Sequence, residues 1–230
     1  MQLHSRQETT MQPSVGYPAQ STSGIVLHSP VFYDLTVWLA FFGKERRFRE
    51  KVLELARITN GESVLDVGCG TGTLAIAAKR RVGMAGSVCG IDASPEMLAR
   101  AERKARSAGT EVLFRSGVAE ALPVPDASFN LVLCTAMLHH LPQKARQQCA
   151  NEIRRVLKPD GRVLAVDFEG FSEQRRSLLS HLHRPHGHVG VRDIEKLLSG
   201  AGLKPVESGP LRIRDLHFVL ARPEHIEPNS

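Results

Sequence analysis

The chain has 230 residues and a formal net charge of +6, with 42% hydrophobic and 23% charged residues. These proportions are ordinary for a globular domain, and they exclude a collagen-like, low-complexity or disulfide-dense chain. No apolar run approaches the length of a membrane span, and the basic residues are too dispersed to require a nucleic-acid or membrane partner. Four cysteines without a C-x-x-C pair predict reduced thiols, which indicates a reducing compartment such as the cytoplasm.

The first sixty residues divide into a polar tail and a more apolar segment. Residues 1–24 are rich in Gln, Ser, Thr, Gly and Pro and predict a disordered tail, because they have too little apolar surface to offset the entropy of ordering. Residues 25–60 contain a crowded aromatic stretch that includes Tyr33, followed by an amphipathic helix over residues 44–58. Two interpretations are open: helices that pack across a sheet edge, or a helical lid in which Tyr33 contacts a hydrophobic substrate. Peripheral membrane contact is a third interpretation and the least favoured.

Residues 63–73 read S-V-L-D-V-G-C-G-T-G-T and are the most informative stretch. An apolar run, three glycines at alternate positions and an Ala-rich segment predict a buried strand, a tight turn and a helix, which is the start of a nucleotide-binding βαβ unit. The spacing differs from the G-x-G-x-x-G of dinucleotide sites, and no P-loop lysine follows. Asp66 stands two residues before the first glycine, where a carboxylate favours a positively charged ligand over a pyrophosphate.

The second predicted strand, Ser87–Asp92, also ends in an acid. An acid at this place can accept hydrogen bonds from ribose hydroxyls, although a simple capping role for Asp92 is the alternative. Ser94 and Pro95 then predict the N-cap and first position of a helix, which Gly109 ends.

Two further strands are predicted at Val112–Arg115 and Phe129–Cys134, and the loop after the second of them contains His139 and His140. In an open α/β sheet the ligand lies beyond the carboxyl ends of the strands, so this loop should face the reacting groups. Adjacent side chains should not face the same way, so we expect one histidine to cap the next helix and the other to reach the site. There an imidazole can remove a proton from a phenol, enol or amine; a structural role is the alternative.

A helix over Gln143–Leu157, a turn at Lys158–Gly161 and a strand over Arg162–Phe168 are predicted next. Asp167 lies at the end of that strand and is a candidate for catalysis or substrate contact, with burial against a partner as the alternative. Residues 169–190 then predict an insertion on the substrate side.

The insertion contains the pattern H-x-H-x-x-H-x-H, formed by His181, His183, His186 and His188. Such spacing suits metal ligands, but no carboxylate or thiolate falls within the run, and we predict no metal site. His186 and His188 are instead candidates for substrate contact.

The remaining elements are a helix over Val191–Ala201 and two strands, Leu203–Ser208 and Leu211–Ala221, joined at Gly209–Pro210. They close a predicted domain over residues 61–222, followed by a short tail at 223–230.

Between Glu62 and Phe168 the chain resembles the class I S-adenosylmethionine-dependent methyltransferases. The resemblance is carried by residues 63–73, by G-I-D-A-S-P-E-M-L and by L-K-P-D-G-R-V-L-A-V-D-F, and the pattern is similar to the ubiquinone/menaquinone-biosynthesis group. It implies a seven-stranded, mostly parallel, Rossmann-like α/β sandwich with an antiparallel strand in its terminal hairpin. It also implies S-adenosylmethionine as the cofactor and S-adenosylhomocysteine as the product.

The resemblance implies a set of cofactor-binding residues in the glycine-rich turn, at the end of the second strand and in the loops after the third and fourth strands. They are Asp66, Gly68, Cys69, Gly70, Thr71, Gly72, Asp92, Ala93, Met97, Val118, Ala119 and Cys134. Family members commonly carry an Asp where this chain has Val118, so the adenine contact would come from the backbone near Val118 and Ala119, or from Glu120.

The function that the resemblance implies is methyl transfer to a small-molecule acceptor, with a lean towards a hydrophobic one such as a quinone-like ring, a lipid amine or a hydroxyl. The motifs that accompany methylation of nucleic-acid bases are absent, and the cysteines are not clustered as arsenic methylation would require. The alternatives are a non-catalytic binding module of the same fold and a nicotinamide oxidoreductase. Either a monomer or a homodimer is compatible with the sequence.

Overall fold

The computed structural model describes residues 45–168, 190–213 and 215–224. The predicted polar tail, the aromatic stretch with Tyr33 and the histidine pattern that includes His186 and His188 lie outside the described residues. Their predicted roles therefore stay predictions.

Thirteen elements make up the described chain. In chain order they are α1 (Glu45–Leu55), β1 (Ser63–Val67), α2 (Thr73–Val82), β2 (Ser87–Asp92), α3 (Pro95–Ser107), β3 (Leu113–Ser116), β4 (Phe129–Thr135), a 3₁₀ helix (Leu138–His140), α4 (Gln143–Val156), β5 (Leu157–Phe168), α5 (Val191–Ser199), β6 (Leu203–Pro210) and β7 (Leu216–Pro223). None of these described helices is both long and apolar enough to cross a bilayer.

The strands form one seven-stranded sheet in the order β3-β2-β1-β4-β5-β7-β6. The first five strands pair in parallel, and β7 runs antiparallel between β5 and β6. The predicted fold class is therefore confirmed. Because β1, β2, β4 and β5 are parallel, their carboxyl ends lie at one edge, where the site is found.

Two apolar layers cover the two faces of the sheet. Along β1, Val64 packs into one layer with α1 and α2, whereas Leu65 and Val67 pack into the other with α4 and α5. Successive strand residues point to opposite faces, and both faces are buried, so the strand reads as a nearly continuous apolar run. Asp66 interrupts that run and is nevertheless only 1% exposed.

Local signals predicted several boundaries correctly. β2 has the predicted bounds, and the Ser94 side chain accepts a hydrogen bond from the Met97 amide at 3.3 Å, with Pro95 at the first helical position. The cap satisfies one of the amides that lack a partner within the helix.

Two predicted turns are wrong. Residues 158–161 lie within β5 as an out-of-register bulge, because Leu157 pairs with Phe129 and Arg162 already pairs with Leu131. Residues 209–210 pair with His217 and Phe218, so the hairpin turns after them. Proline is tolerated in β6 because this is an edge strand, where a missing amide leaves no buried carbonyl unpaired.

A buried arginine that the sequence did not single out fixes the approach to β1. Arg162 donates to the Ala56 carbonyl at 2.7 Å and makes two hydrogen bonds to the Glu62 carboxylate, at 2.7 and 2.9 Å. Paired, planar contacts of this kind have a defined geometry. They hold the connection from α1 to β1 against the middle of β5, just after its bulge.

Candidate active site

The glycine-rich turn after β1 wraps over the end of β2. The amides of Gly68 and Cys69 both donate to the Ile91 carbonyl, at 2.8 and 3.0 Å, and the Gly70 amide donates to Asp92 Oδ2 at 2.8 Å. The turn is therefore attached to the neighbouring strand through its own backbone.

All three glycines of the turn, Gly68, Gly70 and Gly72, have positive φ angles, of 70°, 52° and 72°. Left-handed backbone is costly for residues with a Cβ. A Cβ on Gly72 would also lie 2.7 Å from both Ala101 and Phe114, so this glycine is required by packing as well as by backbone conformation.

Asp66 is a buried carboxylate with an open hydrogen-bonding position. Its Oδ2 atom has no hydrogen-bond partner among the described residues. Burial, and secondarily the nearby charge of Asp92, raise the pKa of Asp66 to about 7, while the Ala75 amide acts in the opposite direction. An unpartnered, buried oxygen of this kind is stabilised by a cation or a donor supplied by a ligand.

Asp92 accepts hydrogen bonds from the protein on both oxygens. Oδ2 accepts from the Gly70 amide at 2.8 Å and Oδ1 from the Ser94 amide at 2.9 Å. Burial raises the pKa of Asp92, and these amides oppose that rise. Each carboxylate oxygen retains a second lone pair, so a capping role and a ribose-binding role are compatible in the same side chain.

The other candidate cofactor-binding residues differ in their exposure to solvent. Met97 and Val118 are buried, Ala93 and Ala119 are half-buried, and Val118 forms an isolated bridge with Ala121.

The Cys134 thiol is fully buried in the core and hydrogen-bonded to Cys149, which is the first cause of a pKa well above the usual range, followed by burial. Only the backbone of Cys134 remains to contact a ligand.

His139, in the 3₁₀ helix that follows β4, and Asp167, near the end of β5, form a hydrogen-bonded pair. Asp167 is fully buried; its Oδ1 lies 2.6 Å from His139 Nδ1, and its Oδ2 accepts the His139 amide at 3.1 Å. The Phe168 amide also donates to Oδ1, at 2.8 Å. A carboxylate can only accept in these contacts, so it fixes the imidazole with its proton on Nδ1 and its lone pair on Nε2.

The expectation that the two histidines face different ways is wrong. Both lie in the 3₁₀ helix, and their ring centroids are 3.9 Å apart at an interplanar angle of 45°. Neither caps α4, whose N-cap residue is Pro142 without a side-chain hydrogen bond. Burial, and then the proximity of His139, lower the pKa of His140 to about 4, so it is neutral near pH 7.

Two features that the sequence did not reveal fix the backbone of the segment that carries His139 and His140. Arg146 on α4 donates through Nε to the Leu138 carbonyl at 2.9 Å, which fixes the 3₁₀ helix. Ala136 has a φ of 50°, and its amide donates to the Val166 carbonyl at 2.7 Å. Left-handed backbone at a non-glycine residue costs free energy and is concentrated at functional sites in proteins.

The sheet order, the glycine turn and the acids Asp66 and Asp92 beside it are typical of a Rossmann-like domain that binds a nucleotide cofactor. Comparison with known proteins agrees with this class. Residues 64–161 match the family model described as a methyltransferase domain. Over residues 64–161 the chain is thus similar to a methyltransferase domain, and the proteins it resembles include S-adenosylmethionine-dependent methyltransferases.

Among curated proteins, the chain is 38% identical over 136 residues to the demethylmenaquinone methyltransferase of Thermus thermophilus, covering 59% of this chain and 60% of that protein. It is 34% identical over 160 residues to the arsenite methyltransferase of Halobacterium salinarum, covering 67% of this chain and 40% of that protein. The chain thus spans about 60% or less of the length of these two relatives.

A solved structure with a similar fold is an S-adenosylmethionine-dependent methyltransferase from Aquifex aeolicus. The TM-score is 0.67 at 23% identity, covering 85% of this chain and 98% of that one. At this identity the likeness concerns the fold.

The residues present fit S-adenosylmethionine, the cofactor that the family implies. The unpartnered oxygen of Asp66 suits the positive end of the molecule, and the remaining lone pairs of Asp92 suit ribose hydroxyls. The first turn of α2 begins at Gly72 with no side-chain cap, so its amides suit the carboxylate of the methionine part.

Proposed function

We propose that this chain transfers a methyl group from S-adenosylmethionine to a small-molecule acceptor. The observation that carries the proposal is the buried Asp66 carboxylate, whose Oδ2 has no partner among the described residues and which stands two residues before a turn of three glycines with positive φ angles. A buried carboxylate near neutral pKa suits a ligand that brings its own positive charge. The adenine would lie by Ala93, Met97, Val118 and Ala119.

When bound, the sulfonium supplies an activated methyl group, so the protein has to provide alignment rather than strong chemical activation. Orientation of this kind is worth roughly 7–11 kcal/mol, whereas a general base adds about 10²–10⁴-fold. The backbone turn and the two acids would orient the donor. The loop from Thr135 to His140 would orient the acceptor.

We further propose that His139 acts as the general base on the acceptor. Asp167 holds the imidazole proton on Nδ1, which leaves Nε2 able to accept a proton from the acceptor as the methyl arrives. His140, neutral at pH 7, adds no positive charge that would oppose this step. The acceptor class is therefore one whose reacting group loses a proton, such as a phenol, a hydroquinone-type ring or a hydroxyl.

The relatives named demethylmenaquinone methyltransferase support a hydroquinone-type ring as the first acceptor to test. The arsenite relative suggests a second candidate, but Cys69, Cys89, Cys134 and Cys149, which are all four cysteines of the sequence, are free and buried. Burial raises the pKa of the Cys69 and Cys89 thiols, and thiolates are what soft metalloid ions require. We therefore favour the ring acceptor.

Free cysteines are also compatible with a reducing compartment, and we keep the cytoplasm as the proposed location. No metal is needed for this chemistry. No group of three or more potential metal ligands occurs among the described residues. The partner we propose is a small molecule, with the chain acting as a monomer or a homodimer.

Calorimetry with S-adenosylhomocysteine tests the cofactor part of the proposal. The wild type should bind it in the micromolar range, and NADH should give neither heat nor a shift in melting temperature. Protection by NADH alone would instead support the oxidoreductase alternative.

A release assay tests the catalytic part. The protein is incubated with S-adenosylmethionine and reduced, unmethylated naphthoquinol, catechol or arsenite, and formation of S-adenosylhomocysteine is measured. Release with the naphthoquinol is expected. Tight cofactor binding without release for any acceptor would support the non-catalytic binding module.

A further inference from the structure

The two halves of the glycine-rich turn are held by different means. The first half, Gly68 to Gly70, is attached to β2 by the backbone and by Asp92. The second half, Thr71 to Thr73, continues into α2 and lies against α3, where Gly72 faces Ala101. Two kinds of contact hold this second half: the Gly72 amide donates to the Cys69 carbonyl at 2.9 Å, and a side chain of α3 binds the residues on either side of Gly72.

That side chain is Lys104. Its ammonium nitrogen lies 2.7 Å from Thr71 Oγ1 and 3.2 Å from Thr73 Oγ1, and the two hydroxyl oxygens are 3.4 Å apart. Thr71 is 3% exposed and Lys104 is half-buried, so water screens these contacts less than it would at the surface. Hydrogen bonds from a charged donor are about twice as strong as neutral ones.

The chemistry of the three groups fixes their roles. An ammonium has only donors, so both threonine hydroxyls accept from Lys104, and one of the two hydroxyls can also donate to the other across 3.4 Å. One residue of α3 therefore sets the positions of two residues that flank Gly72. A turn with three glycines has much conformational freedom to lose when a ligand binds, and a contact that removes this freedom in advance strengthens binding.

We propose that Lys104 is a positioning residue for cofactor binding: it fixes the second half of the glycine-rich turn through Thr71 and Thr73 before the ligand arrives. This inference rests on the proposed function, because the turn is the part of the protein that would bind the cofactor. Lys104 itself contacts neither the cofactor nor the acceptor in this proposal.

The test compares Lys104→Met with Arg103→Met, which removes the same charge from the exposed neighbouring position of the same helix. Lys104→Met should raise the Kd for S-adenosylhomocysteine and the KM for S-adenosylmethionine by roughly ten- to a hundredfold, with kcat at saturating cofactor unchanged. Arg103→Met should change none of these. In a Thr71→Val background, Lys104→Met should add much less than it does alone, because the shared contact is already lost.

Amide hydrogen exchange, measured without ligand, tests the positioning role of Lys104 independently of the cofactor. Exchange at residues 70–74 should become faster in Lys104→Met than in Arg103→Met, while exchange in β4 and β5 is unchanged. An unchanged exchange rate in the turn would overturn the positioning role whether or not the protein binds S-adenosylhomocysteine. If the wild type fails to bind that ligand but the exchange difference is seen, the proposed function fails and the role of Lys104 in shaping the turn stands. A lowered melting temperature with wild-type Kd and wild-type exchange well below melting would reduce Lys104 to a structural residue.

Discussion

The two halves of the proposed site, one for the cofactor and one for the acceptor, are built in opposite ways. The cofactor half, residues 66–72 with Asp92, is shaped mainly by backbone hydrogen bonds from Gly68 and Cys69 and by positive φ angles. The acceptor half, residues 135–140 with Asp167, is shaped by side chains: one buried carboxylate holds the backbone and ring of His139. A site shaped by backbone can bind the same cofactor in proteins that differ in sequence. A site shaped by side chains can be changed by substitution to suit different acceptors.

The largest expected effect separates the two halves by function. His139→Gln should lower kcat by about 10²–10⁴-fold, because the acceptor loses its general base, while the Kd for S-adenosylhomocysteine stays at the wild-type value. Raising the pH should restore part of the rate in the variant, since an acceptor that ionises in solution no longer needs a base. Equal losses in rate and in cofactor affinity would mean that the halves are not independent.

The next effect tests whether packing, rather than ligand contact, requires a glycine at position 72 in the cofactor half. Gly72→Ala should lower the free energy of unfolding by roughly 2–5 kcal/mol, because the new Cβ meets Ala101 and Phe114 at 2.7 Å in a left-handed backbone. The matched control is Gly109→Ala, with a φ of 60° and nothing within 4 Å of its Cβ, which should cost only about 1–2 kcal/mol. Urea unfolding measures both, and similar losses would show that the contact at Gly72 relaxes without cost.

A smaller effect tests the charge of the cofactor half. Because the pKa of Asp66 is raised to about 7, the carboxylate is largely protonated at pH 6 and ionised at pH 8. Affinity for S-adenosylmethionine should therefore rise by up to about tenfold between these pH values, with release of a proton on binding near pH 6. Calorimetry in two buffers of different ionisation enthalpy measures that proton. Asp66→Asn should bind more weakly and lose the pH dependence; a pH dependence retained in the variant would assign it to another group.

The smallest effect concerns stability in the acceptor half. The pKa of His140 is lowered to about 4 from an ordinary 6.5, so the unfolded chain takes up the proton first as the pH falls. The neutral ring contributes stability that is present above pH 6.5 and lost as the pH falls towards 4. His140→Gln should be more stable than the wild type at pH 4.5 by roughly 1 kcal/mol, after allowance for the solvent near the ring, and equal to it at pH 7.5. Unfolding curves at the two pH values would contradict this if the difference did not change with pH.

The distance along the chain between contacting residues explains which parts of the molecule could be predicted from the sequence. The bounds of β2, the Ser94 cap and the glycine turn follow from signals within a few residues of one another, and each is confirmed. Their physical causes are local, because a cap or a left-handed turn is decided by its own neighbours.

The features that could not be predicted depend on residues far apart in the chain. Asp167 is 28 positions from His139, and Arg162 is 106 positions from Ala56. No local pattern indicates such pairs. The contact from Lys104 to the threonines spans about one βα unit and had no motif to mark it. The order of the sheet could be expected only through the resemblance to a family, since pairing partners are a property of the whole chain.

The position of β7 has a consequence for how the molecule is made. This strand is the last one in the described chain, yet it lies inside the sheet between β5 and β6. Asp167 pairs in register with His217, so the strand that carries the acceptor-side carboxylate has an open, apolar edge until β7 is available. During synthesis, β7 must leave the ribosome before that edge can close. A nascent chain can therefore assemble the glycine turn well before it assembles the proposed general base, and removing β7 would expose the edge of β5 to aggregation.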